Sequence, residues 1–124
     1  MQIFSELPIS AYVKERLSSA RFSTPTPVQA AAIPHALEGK DVLATAQTGT
    51  GKTLAFLIPV LEKLLNRTSP SISALVLVPT RELAMQVVDQ YNALRGKQLS
   101  PAALVVGGLS ETQQLHAIRK VPAW

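Results

Sequence analysis

Helical and extended patterns of apolar side chains alternate along the 124 residues of this chain. Val13 and Leu17 lie four residues apart and predict a first helix from about Pro8 to Ser19. The pair Thr26–Pro27 fits an N-cap and a first helical position, and it predicts a second helix that Pro34 ends or kinks. Further helices are predicted over residues 52–66, after Thr80 as an N-cap, and over residues 111–120, where Ser110 and Gln113 have the spacing of a capping box.

Three short apolar segments lie between these helices: DVLATA at residues 41–46, ALVLVP at residues 74–79 and ALVVGG at residues 103–108. A short apolar run bounded by turn residues is typical of a strand that is buried on both faces. Strands that alternate with helices are typical of a parallel sheet. The chain is therefore predicted to be one α/β domain, with a parallel sheet and helices on both of its faces.

The segment AQTGTGKT, residues 46–53, falls between a predicted strand and a predicted helix. A polyphosphate is bound by N–H groups that converge from a tight loop and by the positive end of a helix dipole. Gly49 and Gly51 allow dihedral angles that side chains forbid, Lys52 can reach the β- and γ-phosphates, and Thr53 can offer its hydroxyl to Mg²⁺. Ala46 stands where the usual pattern has glycine, so the match is to a relaxed form, and ordinary turn chemistry is the alternative.

The phosphate loop is accompanied by three other motifs. FSTPTPVQ (residues 22–29), AQTGTGKT (46–53), PTREL (79–83) and the pair Gly107–Gly108 resemble the Q motif, motif I, motif Ia and the paired-glycine motif of DEAD-box RNA helicases, in the family's order. The resemblance extends from about Phe4 to Lys120. It implies that residues 1–124 are an incomplete RecA-like P-loop NTPase domain, with the Q motif within residues 2–30.

By resemblance, Gln29 pairs with the adenine edge, Phe22 stacks on the base, and Thr26 supports the phosphate loop through its hydroxyl. A side-chain amide has the donor and the acceptor that paired recognition of adenine requires. The residues alone leave open that Phe22 and Phe4 are core residues and that Thr26 is only a helix cap. The implied cofactors are ATP and Mg²⁺, and the implied ATP-binding residues are Phe22, Thr24, Gln29, Ala46, Gln47, Thr48, Gly49, Thr50, Gly51, Lys52 and Thr53, with Thr53 also a ligand of Mg²⁺.

The RNA-binding residues that the resemblance implies are Pro79, Thr80, Arg81, Gly107 and Gly108. A hydroxyl, a guanidinium and backbone N–H groups at a junction between a strand and a helix can contact phosphates, and such contacts carry no sequence information. The net charge of +4 suits a polyanionic partner, although solubility alone can account for it. An exposed pair of Arg81 with Glu82, and a simple turn at the two glycines, are the alternatives.

Residues 1–124 contain no D-E-A-D tetrapeptide and no second domain with the arginines that complete the family's ATP site. We therefore expect this chain alone to bind ATP and RNA without appreciable hydrolysis or unwinding. A non-catalytic module that binds nucleotide or RNA is the alternative function, and an unrelated P-loop NTPase is a third. The ending KVPAW departs from the family pattern, and we hypothesise that Val121–Trp124 are a frameshifted tail.

The remaining features concern location and association. The chain has no cysteine, no secretory signal and no apolar stretch long enough to span a membrane, so we expect a cytoplasmic protein without a membrane partner. An uncovered edge of the predicted sheet would favour self-association.

Overall fold

The computed structural model describes residues 3–47, 49, 51–67, 71–108 and 110–120, so the tail at 121–124 lies outside the described residues. In the described part, a 3₁₀ turn at Phe4–Glu6 is followed by α1 (Ala11–Ser19), α2 (Pro27–Leu37), α3 (Lys52–Leu65), α4 (Arg81–Arg95) and α5 (Glu111–Lys120). The chain divides into two compact units, residues 1–63 and residues 64–124.

Helix α1 begins later than predicted, at Ala11 and not at Pro8. Ser10 has an extended backbone and is the N-cap, because its Oγ accepts a hydrogen bond from Val13 N at 3.3 Å. Glu62 of α3 holds the same residue, since its Oε1 accepts from Ser10 N at 2.8 Å and from Ser10 Oγ at 2.7 Å. One carboxylate therefore ties the start of α1 to α3 with charge-assisted hydrogen bonds.

Helix α2 starts as predicted, with Thr26 as the N-cap and Pro27 as the first helical residue. Of the two effects predicted for Pro34, an end or a kink, the end is wrong, because α2 continues through it to Leu37. A proline inside a helix removes one donor, but its carbonyl still accepts, and here Glu38 N donates to Pro34 O at 3.2 Å.

Helices α3 and α5 agree with their predicted bounds to within one residue, and α4 starts directly after Thr80, as predicted. Helix α3 ends at Leu65, one residue earlier than predicted. At the start of α4, Thr80 Oγ1 accepts a hydrogen bond from Leu83 N at 3.2 Å. At the start of α5, Ser110 Oγ accepts one from Gln113 N at 3.3 Å. None of the helices in the described part of the chain is long and apolar enough to cross a membrane.

Each unit has buried apolar side chains of its own. Phe4 is 3% exposed and therefore belongs to the core of the first unit. Burying a side chain of this size stabilises a fold by roughly 1.5–3 kcal/mol. The other buried apolar residues of the first unit are Leu7, Ile9, Val13, Leu17, Ala32, Ile33, Leu54, Ala55, Leu57, Ile58 and Leu61, and those of the second unit are Ala84, Val87, Tyr91, Leu94 and Leu99.

The three segments predicted as strands form no β-ladder among the residues that the structure describes. The predicted parallel sheet at residues 41–46, 74–79 and 103–108 is therefore not found there. An apolar run can form a buried strand only where other segments pair with it and cover it, and the run itself does not specify those partners. In agreement with the absence of a segment packed against them in the described structure, four apolar side chains of these segments are mostly exposed: Leu43 (96%), Leu75 (80%), Leu77 (84%) and Val105 (61%).

Candidate nucleotide-binding and RNA-binding residues

The glycine-containing loop ends where α3 begins, at Lys52. Gly49 and Gly51 both have φ of +84°, in the left-handed region that favours glycine. The first N–H groups of a helix have no partner within it, and the helix dipole makes that end positive. Thr48 and Thr50 lie outside the described residues. Among the other predicted loop contacts, Gly51, Ala46 and Thr53 are half-buried, while Gln47, Gly49 and Lys52 are exposed.

Lys52 closes the loop onto itself. Its Nζ donates a hydrogen bond to Ala46 O at 2.6 Å, which joins the first residue of α3 to the first residue of the loop. The ammonium group is exposed, so a phosphate can approach it from solvent. Thr53 follows at the second position of α3, and its hydroxyl is a hard oxygen donor of the kind that Mg²⁺ accepts.

Gln29 of α2 connects the Q motif to the phosphate loop. Its side chain is only 2% exposed, its Oε1 accepts a hydrogen bond from Thr26 N at 2.9 Å, and its Nε2 donates one to Gly51 O at 3.0 Å. These bonds use one of the two N–H donors and one of the two lone pairs of the amide oxygen. The structure therefore brings Gln29 against the loop, with hydrogen-bonding capacity left over.

Gly51 has room for a side chain only if the Gln29 amide moves away from it. A Cβ at this position would overlap Gln29 Nε2 and would lie 3.2 Å from Thr26 Cγ2. The Thr26 hydroxyl is buried and has no hydrogen-bond partner among the described residues. Of the other residues predicted in the Q motif, Phe22 is half-buried and Thr24 is exposed.

In the second unit, the two predicted RNA motifs meet. Pro79, Thr80 and Arg81 are exposed at the start of α4, and Gly107 and Gly108 are exposed ahead of α5. Gly108 has φ of +84°, and a Cβ there would lie 3.0 Å from Arg81 Nη2. The Arg81 guanidinium therefore lies against the glycine pair. These motifs also share a cavity of about 410 Å³, which Pro79, Thr80, Arg81 and Gly107 line together with apolar residues from 76–78, 84–88 and 104–106.

Gln114 is a residue of this region that the sequence did not indicate. Its Oε1 accepts a hydrogen bond from Val106 N at 3.1 Å, and its Nε2 donates one to Val106 O at 3.0 Å. Val106 directly precedes the glycine pair. The spacing of Ser110 and Gln113 marks the start of α5, but no sequence signal distinguishes which of two adjacent glutamines reaches back to Val106.

Comparison with known proteins gives the family. Residues 26–123 match the model of the DEAD/DEAH box helicase family. The ATP-dependent rRNA helicase RRP3 of Lodderomyces elongisporus is 42% identical over 122 residues, which are 98% of this chain and 24% of the relative. The probable ATP-dependent RNA helicase ddx27 of Dictyostelium discoideum is 49% identical over 121 residues, which are 96% of this chain and 16% of the relative. The chain thus spans a quarter or less of the length of these relatives.

Solved structures give the same result. A DEAD box protein from the hyperthermophile Methanococcus jannaschii superposes with a TM-score of 0.86 and 35% identity, over 94% of this chain and 32% of that one. The RNA-helicase Prp28 from Chaetomium thermophilum, bound to ADP, gives a TM-score of 0.82 and 33% identity, over 96% of this chain and 30% of that one. The chain belongs to the DEAD/DEAH box helicase family.

Proposed function

We propose that this chain is the ATP-binding and RNA-contacting part of a DEAD-box RNA helicase, with ATP·Mg²⁺ bound by the first unit and RNA phosphates by the second. The observation that carries the proposal is the link from buried Gln29 to Gly51 O, at the loop that Lys52 closes through Ala46 O. The proposed recognition group for the base, on α2, therefore contacts the loop that ends at the proposed group for phosphates.

The nucleotide half of the proposal follows from the chemistry of these groups. The spare donor and acceptor of Gln29 match the adenine edge, which presents both an N–H donor and a ring nitrogen acceptor. The exposed ammonium of Lys52, the start of α3 and the glycine backbone suit a triphosphate. Phe22 is proposed to stack on the base.

The residues also fit a magnesium ion. Mg²⁺ takes few oxygens from the protein and keeps waters and phosphate oxygens as ligands, so the Thr53 hydroxyl can be one of its protein ligands. When bound, the ion neutralises charge between the β- and γ-phosphates. Thr53 would hold it at the second residue of α3, next to Lys52.

The RNA half rests on groups that recognise the backbone and not the bases. The Arg81 guanidinium can bind a phosphate through two N–H groups, and glycine N–H groups can approach a phosphate closely because no side chain intervenes. The contact between Arg81 and Gly108 brings the guanidinium close to the backbone of the glycine pair. We further propose that residues 41–46, 74–79 and 103–108 are the strands of a RecA-like parallel sheet, for which the likeness to solved helicases is the support.

Nucleotide recognition is tested by comparing ATP with GTP. In Gln29→Ala, ATP affinity measured by calorimetry with Mg²⁺ is expected to fall on the order of tenfold, because one to two hydrogen bonds to the base are lost. GTP affinity is expected to change less, so the preference for ATP narrows. The matched control is Gln86→Ala, which removes an exposed glutamine of α4. Equal losses for both nucleotides would mean that Gln29 acts only through the loop, and adenine recognition would be rejected.

RNA binding is tested with two single-stranded RNAs of equal length and unrelated sequence. In Arg81→Ala, fluorescence anisotropy is expected to show weaker binding of both RNAs, and the slope of log K against log salt is expected to shrink by about 0.7, the value for one single-strand phosphate contact. Lys97→Ala, which removes an exposed cation of the same unit, controls for net charge. If Arg81→Ala lowered the affinity for only one of the two RNAs, recognition of the backbone alone would be contradicted.

A non-catalytic module is the second candidate function, and the surroundings of the carboxylates favour it for these 124 residues. Glu62 accepts two hydrogen bonds from Ser10, while Glu82, Asp89 and Glu111 are exposed on α4 and α5. A helicase needs a carboxylate at the phosphates to hold the metal and orient water. RNA-stimulated release of phosphate by the 124-residue chain would reject the non-catalytic module, whereas binding without release agrees with both candidate functions.

A further inference from the structure

The side-chain amide of Gln114 makes paired hydrogen bonds with the backbone of Val106. Gln114 Oε1 accepts from Val106 N at 3.1 Å and Gln114 Nε2 donates to Val106 O at 3.0 Å. Val106 is half-buried, and backbone groups that leave water need a partner. A glutamine amide has the same donor and acceptor as a peptide unit, so it can pair with one residue as a neighbouring strand would.

The consequence for Gly107 follows from the planarity of the peptide bond. Val106 C=O and Gly107 N–H belong to one rigid plane, so whatever fixes the carbonyl also fixes the N–H, which points the opposite way. Gly107 has no Cβ to limit its backbone, and an added Cβ would meet no described atom within 4 Å. No side chain of its own restricts this glycine, and the bond from Gln114 to Val106 O fixes the peptide plane that carries its N–H.

We propose that Gln114 is a positioning residue for RNA, which holds the Val106–Gly107 peptide plane so that the Gly107 N–H keeps one direction for a backbone phosphate. This inference rests on the proposed RNA contact of the glycine pair. It adds a residue outside the four motifs, located on α5, whose effect passes through the backbone. Arg81 lies against Gly108, the second glycine of the pair.

The first measurement is spectroscopic and needs no RNA. In the full 124-residue chain, NMR is expected to show a Val106 amide proton protected from solvent exchange and an ordered Gly107 N–H on the picosecond to nanosecond timescale. In Gln114→Met, which keeps the length of the side chain but removes both hydrogen bonds, Val106 protection and Gly107 order are expected to fall. In Gln113→Met, the matched change at the adjacent exposed glutamine, both are expected to remain.

The second measurement is RNA affinity, with oligouridine as the probe. Gln114→Met is expected to bind it about threefold to tenfold more weakly, the effect of one misplaced hydrogen bond. Gln114→Glu isolates the carbonyl bond, since its carboxylate can still accept from Val106 N but has no proton for Val106 O. It is expected to lose affinity as well, beyond the loss in Gln113→Glu, which adds the same charge one residue away.

Two readouts separate this role from general stability and from the proposed function. The ATP·Mg²⁺ affinity of Gln114→Met is expected to stay close to that of the unaltered chain, and its melting temperature is expected to fall by only several degrees, so that it remains folded at the temperature of the RNA assay. If the unaltered chain does not bind oligouridine, the proposed RNA function fails and this inference fails with it. If the unaltered chain binds and Gln114→Met binds equally well, the inference alone is overturned. Undisturbed order at Gly107 in Gln114→Met would also overturn it.

Discussion

ATP·Mg²⁺ affinity is expected to fall 10- to 100-fold when Lys52 is replaced by alanine, because a hydrogen bond to a charged group contributes about 1.5–3 kcal/mol. The ammonium would face the β- and γ-phosphates from the first residue of α3. Its loss also frees Ala46 O, to which Lys52 Nζ donates at 2.6 Å, so the loop loses its closing contact. Lys52 is exposed, and the fold should therefore persist. Calorimetry gives the affinity, and circular dichroism with a thermal melt checks the fold.

Lys63→Ala is the matched control for this change. Lys63 is an exposed lysine of the same helix, so the variant has the same net charge and the same type of truncation. Its ATP affinity is expected to match that of the unaltered chain. If Lys52→Ala binds ATP as well as Lys63→Ala does, Lys52 does not belong to the nucleotide site and the loop proposal loses its main cation.

The helices could be predicted from the sequence because their signals are local. The first N–H groups of a helix have no partner within it, so Ser and Thr, which can accept from them, and Pro, which has no N–H, are favoured at helix starts. Thr26, Thr80 and Ser110 each precede a helix in the structure. Pro34 shows the limit of such signals. The helix continues past Pro34 because the hydrogen bonds of the neighbouring turns compensate for a single missing donor. The presence of a proline in the sequence does not reveal this compensation.

The strands could not be settled in the same way, because pairing is not local. Leu75 and Leu77 read as buried, yet they are 80% and 84% exposed in the described structure. An apolar run indicates that burial of its side chains is favourable, but it does not indicate which other segment packs against them. The sequence equally gives no sign of a side chain that pairs with the backbone, as Gln114 does. Gln114 bonds to both backbone groups of Val106, which lies eight residues earlier, and no sequence spacing indicates this contact.

The candidate site depends both on motifs that the sequence shows and on contacts between distant residues that only the structure shows. Resemblance assigned Gln29 to adenine, and the structure adds the bond from Gln29 Nε2 to Gly51 O. Twenty-two residues separate these two, so no spacing rule indicates it. A base-recognising side chain that also holds the phosphate loop couples the two ends of the nucleotide. Adenine binding at Gln29 would then stabilise the loop conformation that holds the phosphates.

That contact makes Gly51 the position of the loop where a methyl group is expected to do the most damage. Gly51→Ala is expected to lower the free energy of unfolding by about 2–5 kcal/mol, from about 1–2 kcal/mol for a side chain at positive φ and about 1–3 kcal/mol for overpacking. The overpacking arises because the new Cβ would overlap Gln29 Nε2 and crowd Thr26 Cγ2. Urea unfolding without nucleotide measures the change.

Gly49→Ala separates the two contributions, because Gly49 has the same φ of +84° but an added Cβ would meet no described atom within 4 Å. It is expected to lose only the conformational part, about 1–2 kcal/mol. In a Gln29→Ala background the overlap is relieved, so Gly51→Ala should then cost little more than Gly49→Ala, and the double-mutant cycle should give a coupling of about 1–3 kcal/mol. Equal effects of the two glycine changes, with no coupling to Gln29, would mean that the Gln29–Gly51 contact does not exist in solution, and the shared role of Gln29 in base recognition and loop support would have to be abandoned.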